Sequence, residues 1–148
     1  MAALIELTDD AFKIAANAAV IAFIRRENPF AHSNVGTRLL RLGRATSGAE
    51  RYCPDYHSYA YVVLHTRDKV IFALAYGMRH IALRLPAAAQ AEAAADGGTP
   101  CPAIGEGWLS FDTKADAARL AHWCEQACRA AEGADGAQPQ GAGLSPLP

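Results

Sequence analysis

Between Tyr59 and Glu132 the chain spells a fixed order of elements: three short runs rich in aromatic and β-branched residues, an alanine-rich helical run, a Trp-led run and a closing helical run. This order constrains the fold most, because apolar runs of this length read as strands, and strands joined by two- or three-residue turns pair antiparallel. Tyr59 to Thr66 and Lys69 to Tyr76 flank Arg67-Asp68 and form a predicted hairpin. Gly77-Met78-Arg79 is the next turn. His80 to Leu85 then alternates, with Ile81, Leu83 and Leu85 on one face and His80, Ala82 and Arg84 on the other. Strict alternation in the second strand puts Val70, Phe72, Leu74 and Tyr76 on one face. Ile71, Ala73 and Ala75 fall on the other, where small side chains let a helix approach.

Pro86 suits a first helical turn, and Ala87 to Ala95 has high helical propensity up to the stop at Gly97-Gly98. Trp108 to Phe111 is the fourth strand. Thr113-Lys114-Ala115-Asp116 resembles a capping box, followed by Ala117, Leu120, Ala121, Cys124, Ala127, Cys128 and Ala131 at helical spacing.

Upstream, Thr8 is the expected N-cap of a long helix reaching Arg26, with Asp9 and Asp10 at its positive end and Arg25 and Arg26 at its negative end. Asn28-Pro29 ends it. Between Pro29 and Ser58, Asn34 caps a short helix through Leu39, Leu40 and Leu42 to Gly43, although the same stretch also has strand character. Residues 133–148, rich in Gly, Pro, Ala and Gln, read as a disordered tail. The expectation is one α+β domain over residues 1–132: an antiparallel sheet of about four strands, helices packed mainly on one face and a long N-terminal helix.

Over roughly residues 59–132 the chain resembles the YjbR/MmcQ-type proteins. The likeness is carried by Val70-Ile71-Phe72-Ala73-Leu74, Ile81-Ala82-Leu83-Arg84-Leu85-Pro86, the alanine-rich helix, Gly107-Trp108-Leu109-Ser110-Phe111 and the final helix. It implies a frataxin-like α+β fold and a DNA-binding role. This chain departs from the family pattern with Leu83-Arg84-Leu85 in place of a Leu-Lys-Leu phrase. It also has no acids in the first turn of the following helix, and Ala127-Cys128 stands where a Ser-Tyr pair is common.

Fourteen basic against fifteen acidic side chains leave no global field for a polyanion or a membrane, so any such binding is local. The apolar stretch Phe12 to Ile24 is too short to span a bilayer, and no secretory signal precedes it, so a cytoplasmic setting is expected. Four cysteines there stay reduced. Cys53 with His57 and Cys124 with Cys128 are two potential ligand pairs for one metal ion. However, the latter two fall in an apolar helical stripe, where a thiol behaves as a small hydrophobe. No cofactor or metal is expected, and no catalytic residue is assigned.

Cys101 is a loop thiol that needs a nearby base before it can act as a nucleophile. His65 and His80 approach only if strand register brings them together, and separation is the expected outcome. The strongest local signal is basic: Arg25, Arg26, Arg38, Arg41, Arg44 and Arg51 stand against Glu27 and Glu50. Arginine forks suit phosphate oxygens, and Tyr52 and Tyr56 nearby suit base stacking. The competing explanation is a solvated helix face whose arginines pair with acids of the last helix. These readings make the chain a non-enzymatic binding module, with nucleic acid as the first partner class. A protein partner is the alternative, and a small-molecule site or enzyme the third.

Overall fold

The structure is a computed structural model that describes residues 10–54 and 60–134. Its centre is a six-stranded antiparallel sheet in the order β1-β2-β3-β4-β6-β5. The strands are β1 (Glu50–Tyr52), β2 (Val62–His65), β3 (Ile71–Tyr76), β4 (His80–Arg84), β5 (Thr99–Pro100) and β6 (Trp108–Asp112). Four helices accompany it: α1 (Ala18–Glu27), α2 (Ser33–Ala45), α3 (Ala87–Ala95) and α4 (Ala117–Ala134). The α+β class and the four central strands follow the sequence reading. The sheet is wider than the expected four strands because two very short edge strands, too short to carry an alternation, add to either side.

Three of the four helices, α2, α3 and α4, pack on one face of the sheet, in line with the expectation of helices mainly on one face, and α1 covers the other. On one face α2 and α4 bury Val35, Leu39, Leu42, Leu120, Trp123, Cys124 and Cys128 against Leu64, Phe72, Ile81 and Leu83. On the other, α1 lays Val20, Ile21, Phe23 and Ile24 over Tyr61, Val63, Ile71, Leu74 and Ala82. The shield over Ile81, Leu83 and Leu85 is complete, and none of the three is more than 3% exposed.

The strict alternation expected of β3 fails at one point. Leu64 pairs with Ala73 but His65 pairs with Ile71, so Phe72 is the extra residue of a β-bulge. The bulge shifts the pattern by one: Val70, Phe72, Ala73 and Ala75 face α2 and α4, while Ile71, Leu74 and Tyr76 face α1. The close approach of a helix to the sheet comes from a glycine on the helix. Gly43 of α2 lies so near β2 that an added Cβ would stand 2.7 Å from Leu64 Cδ2.

The long N-terminal helix is also corrected. Asp10–Phe12 and Ala15–Asn17 are separate 3-10 turns joined through an extended Ile14, and the α-helix begins only at Ala18. The cause is Asn17, which is fully buried and bonds to the sheet, so the segment before it follows the β2–β3 turn and no straight helix axis. Thr8 lies outside the described residues. Asn28 closes α1 in the left-handed region (φ 44°), its N–H donating to Ile24 O.

Capping differs in detail. His32 Nδ1, one residue before the helix, accepts from Asn34 N and starts α2. Asp116, not Thr113, caps α4 by accepting from Arg119 N at 3.1 Å. On α4, Ala117 and Ala121 are exposed, and Trp123 takes the central place with its indole donating to Asp96 Oδ2 at 3.0 Å. The tail expected over residues 133–148 lies outside the described residues from 135 onward; α4 itself continues to Ala134. Among the described residues no helix is long and apolar enough to cross a membrane.

Candidate functional site

The six arginines separate into two layers. Arg25 and Arg26 sit at the end of α1, on one side of the sheet, while Arg38, Arg41 and Arg44 ride α2 on the other. Arg26 is tied down: its Nη2 donates to Ala103 O at 2.9 Å, and its Nε pairs with Glu27 at 3.2 Å. Arg38 is a structural clip, donating to the carbonyls of Thr113 and Ala115 at the entry to α4. It reaches backbone, not the acids of the last helix.

Arg41, Arg44 and Arg51 remain, all exposed. Arg51 pairs with Leu64, whose side chain faces α2, so cross-strand register puts Arg51 on the α2 side of the β1 edge. Among the described residues none of these three makes an ion pair with an acid. The α2 sequence contains no acid at all. Tyr52 is placed differently. It pairs with Val63, faces the α1 side and packs edge-on against Phe12 at 5.6 Å, so it is not available beside Arg51. Tyr56 and His57 lie outside the described residues.

Cys124 and Cys128 are buried, and burial pushes the Cys124 thiol up to about 11. Thr46 Oγ1 lies 3.6 Å from Cys124 Sγ, and Cys128 Sγ faces the Ser47 carbonyl. Among the described residues no group of three potential ligands gathers around a metal position. His65 and His80 are apart, as expected: His65 pairs with Ile71 at one end of β3, and His80 with Tyr76 at the other.

A second cluster forms where β4, β6 and β5 meet, on the part of the sheet that α1 leaves open. Tyr76, His80, Thr99, Pro100, Cys101, Ser110 and Asp112 line an open cleft of about 380 Å³ there. His80 lies directly opposite both Tyr76 and Asp112, so the three side chains share a face, and Ser110 follows two residues before Asp112. The His80 ring stacks on Tyr76 with centroids 5.1 Å apart. Its Nδ1 lies 3.4 Å from Ser110 Oγ. Tyr76 Oη is 3.6 Å from Cys101 Sγ. Burial, reinforced by Cys101, raises the Tyr76 phenol to about 12, with Ser110 hydrogen bonding opposing the shift, so the phenol keeps its proton. Asp112 is held below the usual carboxylate range mainly by the Lys114 N–H, then by Arg79.

The sequence reading singles out Tyr76, His80 and Cys101 separately and misses Ser110 and Asp112, because their convergence depends on the pairing of β4 with β6 across α3. The signal that was present is the polar alternation of Ser110 and Asp112 matching that of His80.

Comparison with protein-family models, curated proteins and solved structures finds no match to this chain.

Proposed function

We propose that this protein is a binding module for nucleic acid, held through phosphates by Arg41, Arg44 and Arg51. The observation that carries this reading is the shared placement of three exposed guanidinium groups along α2 and the neighbouring edge strand, with no acid on the helix between them. Guanidinium forks bind phosphate oxygens in pairs, and a local cluster serves where net charge is near zero. With Tyr52 turned to the opposite face, base stacking contributes nothing from that position, so the binding is weak and indifferent to sequence. The DNA-binding role implied by the YjbR/MmcQ resemblance agrees with it, as does a cytoplasmic setting in which the cysteines stay reduced.

The test is fluorescence anisotropy with single- and double-stranded oligonucleotides across a salt series. Three phosphate contacts predict a log–log slope of about −2 to −3. Salt-independent binding, or none at low salt, removes the proposal. A protein partner is the second reading, favoured by Phe30 and Met78. Both are large exposed apolar side chains, and they are brought together by the hydrogen bond from Gly77 N to Phe30 O. Light scattering and co-purification distinguish that case.

A further inference from the structure

We propose that residues 10–13 form a proton-operated strap: when His65 takes up a proton, Phe12 lifts off the sheet and bares His65 and Tyr52 while the rest of the fold stays closed. Three features of the geometry converge on it. The first is what Phe12 covers. Its ring is 2% exposed and stands edge-on to His65 at 5.0 Å and to Tyr52 at 5.6 Å, so it shields the imidazole from water. His65 is itself buried, and its Nδ1 donates to the Thr66 carbonyl at 2.7 Å. That bond leaves Nε2 as the nitrogen that takes an incoming proton.

The second is the charge around the ring. Glu50 lies opposite His65 in the β1–β2 ladder, with its carboxylate 3.9 Å from Nδ1. The same carboxylate is 3.9 Å from Lys69 Nζ, which in turn stands 5.6 Å from the centre of the Phe12 ring. One carboxylate therefore already serves a lysine before an imidazolium forms. Arg67 and Asp68, in the turn after β2, are exposed, and on the strap Asp10 and Lys13 pair with each other at 3.1 Å. An imidazolium beneath Phe12 is thus short of both water and counter-charge, and lifting the phenyl ring supplies the water.

The third is a hinge. Asn17 is fastened to Lys69 O and Ile71 N, and Arg84 donates to Ala16 O. Ahead of these fixed points Ile14 is extended between the two 3-10 turns (φ −122°, ψ 158°). Phe12 is tied back by the hydrogen bond from Asn17 Nδ2 to its carbonyl, which can break without disturbing either bond from Asn17 to the sheet. Because burial makes the closed form hold the proton less tightly than an exposed histidine of pKa 6.5 would, opening grows as pH falls below that value. One proton allows a gain of up to about tenfold per pH unit.

The experiment is amide exchange of the full chain, followed residue by residue by NMR from about pH 7.5 to 5.0 and corrected for the pH dependence of exchange in an unstructured chain. The amides of Lys13 and Ile14 bond to Asp10 O and Phe12 O. Their protection is expected to fall about fivefold or more over that range, while Ile71 and Leu83 stay about tenfold or more better protected than either at every pH. His65→Gln is expected to abolish the fall. His65→Asn, whose amide can keep the bond to the Thr66 carbonyl, serves if the first variant does not fold. Protection at Lys13 and Ile14 that is indifferent to pH, that falls equally in the His65 variant, or that matches Leu83 because the strap opens only with the whole protein, overturns the proposal.

Discussion

Asn17 Oδ1 accepts the backbone N–H of Ile71 at 2.8 Å, so a side chain from before the first helix takes the place of a strand neighbour at the edge of the β3 bulge. Asn17 Nδ2 completes the plug by donating to Lys69 O at 2.7 Å and Phe12 O at 2.9 Å. The bulge and the break in the N-terminal helix are thus one feature, since backbone groups left unpaired on one are satisfied from the other.

Replacing Asn17 leaves those backbone groups buried without partners. Asn17→Ala is expected to lower stability by about 2–4 kcal/mol, well beyond what the same change costs on a surface. Urea unfolding measures it. A loss below about 0.5 kcal/mol would mean that the contacts are replaced by others.

His65 predicts a dependence on pH. Its ring is buried against Phe12, and desolvation, together with the repulsion of Lys69, outweighs the Thr66 carbonyl and Glu50, holding its pKa below the ordinary 6.5. The folded protein therefore keeps His65 neutral where the unfolded chain begins to take up a proton. Its contribution is whole above pH 6.5 and declines as pH falls from 6.5 toward the folded value. The urea midpoint is expected to drop between about pH 7.5 and 5.5, and His65→Gln is expected to flatten that drop. An equal slope in the variant would assign the effect elsewhere.

The closing helix makes a prediction about thiols. Cys124 and Cys128 are fully covered between α4 and the sheet, whereas Cys53 and Cys101 are partly exposed. Titration of the native protein with a disulfide reagent should find two cysteines reacting readily and two only on unfolding. Four equally fast thiols would contradict the packing of α4.

Much of this architecture was legible in the residues, and the exceptions share a cause. The central strands and α4 announce themselves because their patterns are local: Ile81, Leu83 and Leu85 at period two, and Leu120, Cys124, Ala127 and Cys128 at helical spacing. What escaped depends on partners distant in sequence. Glu50–Tyr52 and Thr99–Pro100 become strands only because β2 and β6 offer them an edge. The bulge at Phe72 and the turn of the chain at Asn17 likewise exist only together. The arginines were visible as a group, but the sheet that divides them could not be seen from a run of charges.

That division supplies the most direct test. The affinity of one oligonucleotide at low salt should be compared for the wild type, an Arg41→Ala/Arg44→Ala/Arg51→Ala variant and an Arg25→Ala/Arg26→Ala variant. Loss of about three phosphate contacts predicts a fall of tenfold or more for the first variant and a change within about twofold for the second. Equal losses in both, or none in the first, would contradict an interface built on α2 and the β1 edge.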